Sequence, residues 1–237
     1  MLKLPKGKKG WTKAIFLTTL VGLTLLILVR CVDWDDDGTP LEDRLVKIEL
    51  GGQRFNVPVR YMYGETVAKW NTWRKPKKGR THVDYLNVSL LTPKLFPYYA
   101  QDDARWKVLG HGERIQVSFI KWSFYDGWVA KAMESEEKSS KKGLSQKIDD
   151  IHGLIRYERN DNYYLFSIDE SVKIYCGRPG TVPFPSCSVR SEYKNGLGFN
   201  YYYSAQYLPR WREIDHNIKA LFEKFGQAAE ASERSLG

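Results

Sequence analysis

The stretch VKIYCGRPGTVPFPSCSVRSEYKNGLGFNYYY, residues 172–203, carries the signals that decide the fold. Asn195-Gly196 lies between two runs in which apolar and polar residues alternate, and Asn-Gly in that setting is the strongest short signal for a β-hairpin. A further run precedes the prolines of the central loop. The stretch therefore predicts three strands, at residues 172–176, 188–193 and 197–203, in an antiparallel sheet.

Two cysteines, Cys176 and Cys187, enclose the central loop of ten residues, three of which are prolines. If the domain is exported to an oxidising compartment, we expect a disulfide across this loop, with a stabilisation of about 2–3 kcal/mol from loop entropy. The alternative is two unrelated buried thiols. The loop contains no His, Asp or Glu, so it does not predict a metal site.

Hairpins are also predicted elsewhere in the chain. Residues 154–159 and 163–168 flank Asn160-Asp161-Asn162, and residues 45–50 and 53–59 flank Gly51-Gly52. Strands are expected at 83–91 and 114–122. Near the C-terminus, apolar residues recur at three- and four-residue steps and predict a helix that ends at Gly226: Leu208, Trp211, Ile214, Ile218, Leu221, Phe222 and Phe225. This combination predicts an α+β domain with an antiparallel sheet and a C-terminal amphipathic helix.

The N-terminus predicts a single membrane anchor. The residues up to Lys13 include five lysines and no acid, an uncharged apolar run follows, and Arg30 closes it before four aspartates. Basic residues before an apolar run and acidic ones after it favour a cytoplasmic N-terminus and an exported remainder. The run is short, so a cleaved signal peptide is the alternative. We expect an uncleaved transmembrane helix in the bacterial inner membrane, in contact with lipid over residues 14–30 and flanked by Lys13 and Arg30.

The predicted organisation has five parts. A basic cytoplasmic tail (1–13) leads into the transmembrane helix (14–30) and an acidic tether (31–43). The exported domain spans 44–226, with the charged segment 130–145 as the boundary if it has two lobes. A flexible tail (227–237) ends the chain.

The positive charge of the chain does not predict nucleic-acid binding. The formal net charge is +9, but residues 1–30 hold five lysines, Arg30 and no acid, so six of these charges belong to the predicted anchor. Lysines beside a membrane face anionic lipid headgroups, which accounts for them. The basic segment 70–80 is interpreted as a solvated loop.

No catalytic motif, metal site or cofactor site is predicted, because four scattered histidines and solvated acid pairs form no constellation. The chain instead has eight Trp and fifteen Tyr, residue types that recur at protein-binding hot spots. Partner contacts are predicted in the strand at Tyr201, Tyr202 and Tyr203 and in the loop at Trp70, Trp73 and Arg74.

The layout of the chain resembles that of a known family. The features are the basic N-terminus with one apolar helix, the phrases FNVPVRY (55–61) and LTPKLFPY (91–98), the late cysteine loop, a hairpin and the helix LPRWREI (208–214). This order resembles the membrane-anchored or periplasmic immunity proteins that Gram-negative bacteria carry against type VI secretion effectors. The resemblance implies that the chain binds a toxic effector in the periplasm and blocks it without catalysis.

Two other functions are also consistent with the sequence. One is an envelope accessory protein of a secretion or conjugation apparatus, and the other is an envelope hydrolase with dispersed catalytic acids. The lack of motifs disfavours the hydrolase but does not separate the first two hypotheses, and the sequence predicts no oligomeric state.

Overall fold

The computed structural model describes residues 39–63, 77, 79–122 and 126–235, apart from the side chains of residues 149 and 150. The predicted tail 1–13, the predicted helix 14–30 with Lys13 and Arg30, and most of the tether 31–43 lie outside the described residues. From Pro40 onwards the chain forms one compact unit, whose strands on either side of residues 130–145 join the same sheet.

The strands of the described residues form two sheets. The small sheet has the order β2-β1-β3, and the large sheet has the order β4-β5-β11-β10-β9-β8-β7-β6 with antiparallel neighbours throughout. The strands are β1 (Leu45–Leu50), β2 (Gln53–Pro58), β3 (Thr81–His82), β4 (Tyr85–Leu91), β5 (Arg114–Lys121), β6 (Gln146–Ile151), β7 (Leu154–Arg159), β8 (Asn162–Ser167), β9 (Val172–Gly177), β10 (Ser186–Glu192) and β11 (Leu197–Ser204).

Three α-helices lie among the strands: α1 (Asp103–Trp106), α2 (Trp128–Lys141) and α3 (Trp211–Arg234). Short 3-10 turns occupy Leu41–Asp43, Val59–Met62, Ala100–Asp102 and Ala205–Arg210.

The hairpins predicted from turn residues are confirmed. β1 pairs with β2, β7 with β8 and β10 with β11, each across the predicted turn. Gly51 and Gly52 have φ values of 59° and 79°, and Asn195 and Gly196 have 58° and 69°. Tight hairpin turns need such positive φ values, which Gly and Asn adopt at the lowest cost.

One face of the large sheet forms the main core. A continuous row of buried, directly paired residues crosses six strands: Val88, Val117, Tyr201, Val189, Ile174 and Leu165. The apolar side of α3 packs on this face, with the Phe222 ring 4.5 Å from that of Phe119 and 5.0 Å from that of Phe199 between centroids. The predicted amphipathic C-terminal helix is therefore present and covers the core.

The predicted end of that helix was wrong. Helix α3 continues through Gly226 to Arg234 because its last turns bind the small sheet. Arg54 and Arg80 both donate to the Glu233 carboxylate, at 2.7 and 3.0 Å. A Cβ on Gly226 would lie 3.8 Å from the Arg54 carbonyl oxygen, an ordinary van der Waals contact, so the helix packs against β2 at this residue and does not end there.

The predicted fold class is corrected in one respect, the N-terminal transmembrane helix. Across the stretches described here, no helix is long and apolar enough to cross a membrane. The transmembrane helix had been inferred from residues 14–30, which lie outside these stretches. The described fold is an antiparallel, sheet-rich domain with a C-terminal helix.

Candidate binding face

The side of the large sheet opposite α3 carries polar and aromatic side chains. Because side chains alternate along a strand, each buried core residue has a neighbour that points to this other side. One row of direct pairs there consists of Asn87, Ser118, Asn200, Arg190 and Lys173, and the next of Gln116, Tyr202, Ser188 and Tyr175. We call these nine residues the open face.

Helix α2 covers only one end of this side of the sheet. Its first two residues, Trp128 and Val129, pack on Tyr157 of β7 and Phe166 of β8 and form a small separate core. On the open face itself, Tyr175 and Tyr202 are 39% and 36% exposed. The open face is thus a partly exposed surface built on paired strands in the middle of a sheet.

Tyr202 is held in place by its neighbours. The Asn200 side-chain amide donates to its hydroxyl at 3.1 Å, and the His111 ring lies parallel to the Tyr202 ring with 6.4 Å between centroids. Burial and the nearby Arg114 lower the pKa of His111, which favours the neutral imidazole. Tyr202 therefore presents a fixed aromatic surface.

Cations and aromatic rings alternate at the other end of the open face. The Arg190 guanidinium lies 5.2 Å above the Trp122 ring, and the Lys173 ammonium lies 5.8 Å from the Phe166 ring. Next to them, Arg159 stacks on Tyr164 at 4.6 Å and pairs with Glu136 at 3.6 Å. Such stacking orients a guanidinium and leaves its N–H edge available.

A depression of about 300 Å³ lies beside Tyr202. Asn87, Gln116 and Ser118 line it with amides and hydroxyls, and Ser118 donates to the Asn87 side chain at 2.7 Å. Tyr63 also lines it, and its buried hydroxyl has no hydrogen-bond partner among the described residues. These groups suit an uncharged, hydrogen-bonding contact.

Apolar loops meet beyond Tyr202. Phe184, in the cysteine loop, is 62% exposed and packs on Gly110, where a Cβ would lie 2.8 Å from the Phe184 Cβ. Leu109 and Val182 are exposed on the same two loops. Exposed large apolar side chains grouped in this way are typical of interaction sites.

The structure changes the predicted set of contact residues. Tyr201 and Tyr203 are fully buried, because strand alternation turns both into the core, so their assignment to a partner contact was wrong. Tyr202 alone of the three is exposed. Trp70, Trp73 and Arg74 lie outside the described residues, and their role stays a prediction. The disulfide between Cys176 and Cys187 is confirmed.

Several residues of the open face were missed from the sequence. Lys173 and Tyr175 alternate with the apolar residues of β9, so the period of two was the signal that they share one side. Arg190 and Gln116 gave a similar signal in their own strands. Their proximity was not predictable, because it depends on β11 lying between β5 and β10.

The groups on the open face are mainly aromatic, amide, hydroxyl and cationic. Within residues 39–63, 77, 79–122 and 126–235, no three His, Cys, Asp or Glu residues are grouped so that they could hold a metal ion. Aromatic rings, amides, hydroxyls and two cations instead offer contact area and hydrogen bonds.

Comparison with known proteins shows similarity of fold only. No protein-family description and no curated protein matches the sequence. A likeness exists to the iron-regulated outer membrane lipoprotein FrpD of Neisseria meningitidis, with a TM-score of 0.54 and 15% identity over 78% of this chain and 94% of that one. Another exists to Smlt3025, an immunity protein of the Stenotrophomonas maltophilia type IV secretion system, with a TM-score of 0.54 and 14% identity over 80% and 96%.

Proposed function

We propose that this chain is an immunity protein that binds a toxic secreted effector and neutralises it without catalysis. The observation that carries the proposal is the open face, on which Tyr202, Tyr175 and Arg190 stand exposed on paired strands, with the Arg190 guanidinium above the half-buried Trp122 ring. The toxin would be inhibited by steric coverage of its active site or of the surface through which it acts.

The composition of the open face supports protein recognition. Tyr, Trp and Arg are the residue types that dominate binding hot spots, and Tyr combined with Ser and Asn is typical of antibody binding sites. Tyrosine supplies a large contact area with few rotatable bonds. Because these side chains stand on paired strands, little conformational entropy is lost on binding.

The fold supports the same function. A solved immunity protein of a type IV secretion system has this fold, although the resemblance noted in the sequence was to immunity proteins against type VI effectors. The proposal therefore covers an effector delivered by either system, with a type VI effector as the narrower form.

The disulfide of the cysteine loop supports an oxidising compartment for this protein. A disulfide persists where the surroundings are oxidising, as in the periplasm. Together with the likeness to an outer membrane lipoprotein, this supports a place in the bacterial envelope.

The test is protection of intoxicated cells. The full chain is produced in cells that export the toxin encoded in a neighbouring gene to the periplasm, and growth and complex formation are measured. We expect growth to be restored and the two proteins to co-purify. Persistent growth arrest with no complex would refute the proposal. Complex formation without protection would instead favour an envelope accessory protein.

Matched variants connect the result with the open face. The double variant Tyr175→Ala, Tyr202→Ala should lose protection, whereas Lys224→Ala, on the exposed side of α3, should keep it. Both variants must be exported at the same level as the parent chain, which is checked by blotting the periplasmic fraction.

A further inference from the structure

Two cationic residues are opposite each other in the strand register of the open face. Arg190 of β10 and Lys173 of β9 are register partners in the antiparallel ladder and lie on the same side of the sheet. Like charges placed directly opposite each other destabilise a sheet. This arrangement therefore has an electrostatic cost that the fold alone does not require.

Neither cation is neutralised within the part of the chain that the structure describes. Glu136 is the nearest carboxylate with an effect on Lys173, but it pairs with Arg159 at 3.6 Å. By contrast, several other arginines have carboxylate partners: Arg54 with Glu233, Arg60 with Asp43, Arg105 with Glu113 and Arg210 with Glu213. The Lys173–Arg190 pair departs from this pattern.

The surroundings of the Lys173–Arg190 pair increase the electrostatic cost of placing the two like charges opposite each other. Partial burial lowers the pKa of Lys173 first, and the neighbouring Arg190 lowers it further. The rings of Phe166 and Trp122 lie beside the two cations and exclude water on one side of each. An anion placed between the two side chains would remove the repulsion and would itself be partly desolvated, which strengthens each hydrogen bond.

We propose that the Lys173–Arg190 pair receives an Asp or Glu carboxylate that projects from the surface of the effector. This inference rests on the proposed immunity function and names the chemistry of the partner. The Arg190 guanidinium, oriented by Trp122, supplies a two-pronged donor, and Lys173 supplies the second charge.

The form of the site favours a carboxylate on a protein over a free anion such as phosphate. Sites for free phosphate use converging backbone N–H groups, but β9 and β10 are paired on both sides, so their N–H groups are engaged in the ladder. The donors that remain at this site are side chains that stand on paired strands. Tyr175 and Tyr202, also exposed there, provide the adjoining contact area for a protein surface.

The first arm of the experiment uses the full chain and the co-purifying effector. Association rates are measured at about 50 mM and about 500 mM NaCl, because salt screens charge attraction between separated molecules. Lys173→Glu and Arg190→Glu should each lower the association rate about tenfold at low salt and much less at high salt. Lys224→Glu makes the same charge change on α3 and should have little effect.

The variant Arg190→Lys separates the effect of the charge from that of the guanidinium geometry. It keeps the charge but loses the two-pronged geometry, so we expect the low-salt association rate to hold while dissociation becomes faster. A thermal unfolding scan of Lys173→Met checks folding, and removal of one like charge should leave the midpoint unchanged or raise it. If both charge-reversal variants associate like the parent at low salt, the inference is wrong even though the proposed function stands.

The second arm does not depend on the effector. NMR spectra of the full chain are recorded with an oligoglutamate peptide, with oligolysine and with inorganic phosphate. We expect oligoglutamate alone to shift the signals of residues 173 and 190, and Arg190→Glu to abolish the shift. A shift with phosphate as strong as with oligoglutamate would overturn the choice of a protein carboxylate, and no shift with oligoglutamate would contradict the site itself.

Discussion

Tyr201 and Tyr202 are adjacent in β11, yet the first is fully buried in the core and the second is 36% exposed on the open face. The Tyr201 hydroxyl donates to the Asp215 carboxylate of α3 at 3.0 Å, and the Tyr202 hydroxyl accepts from Asn200 at 3.1 Å. One strand therefore holds the helix on one side and presents the candidate binding surface on the other. The two residues should respond to mutation in opposite ways.

Tyr202→Ala should weaken effector binding by about tenfold or more, the effect expected of an aromatic hot spot. The unfolding midpoint should change little, since the side chain borders solvent on the open face. Isothermal titration calorimetry and a thermal scan on the same preparation measure both quantities. A large drop in the midpoint with unchanged affinity would assign Tyr202 to the fold alone.

Tyr201→Phe should leave binding unchanged and lower the free energy of unfolding by about 1.5–3 kcal/mol, the range for a hydrogen bond to a charged group. Asp215 is buried and, among the described residues, keeps its contact with Lys219, 2.8 Å away, once the hydroxyl is removed. Urea unfolding followed by tryptophan fluorescence gives the difference. Tyr207→Phe is a matched control, because its ring only borders the core.

Replacement of both Cys176 and Cys187 by serine should lower the free energy of unfolding by about 2–3 kcal/mol, because the unfolded chain regains the entropy that the closed loop removes. The two residues are register partners in β9 and β10, so the sheet pairing itself should survive. Denaturant unfolding of the oxidised parent, the reduced parent and the variant checks this. Equal stability of all three would contradict the prediction.

Glu223 should make the stability of the domain depend on pH. Its carboxylate accepts from the Tyr193 hydroxyl at 2.7 Å and pairs with Lys194 at 2.7 Å, and these contacts lower its pKa below the ordinary value of 4.5. A lowered carboxyl pKa gives stability that is present above the unfolded value and is lost as pH falls through the folded value.

Glu223→Gln should therefore be less stable than the parent at pH 7 and approach it in acid. The difference should be below about 1 kcal/mol, since the pair is partly exposed and screened by solvent. Urea midpoints measured between pH 3 and 7 test this, with Glu230→Gln as the matched control. A constant difference across that range would exclude titration of Glu223 as the cause.

Much of the sheet was predictable because its signals are local. Gly51-Gly52 and Asn195-Gly196 adopt the positive φ values that their residue types favour, so two hairpins followed from turn chemistry. The apolar positions of α3 from Trp211 to Phe225 likewise predicted the face that packs on the sheet. These features depend on residues that are close together in the sequence.

Features set by distant contacts were not predictable. Helix α3 passes Gly226 because Glu233 binds Arg54 and Arg80, which lie far away in the sequence. A strand was predicted at residues 197–203 and all three tyrosines were assigned to a partner, but only the position of β11 inside the sheet determines which side is open. Most of the charged segment 130–145, named from the sequence as the boundary if the domain has two lobes, lies in helix α2, which Trp128 and Val129 anchor on β7 and β8.

The most direct test of the account is site-specific photocrosslinking in cells that contain the effector. The photoreactive residue p-benzoylphenylalanine is placed at Tyr175 on the open face or at Lys224 on α3, in otherwise identical chains. The account predicts a crosslinked adduct with the effector from position 175 and none from position 224. An adduct from position 224 with none from position 175 would contradict it.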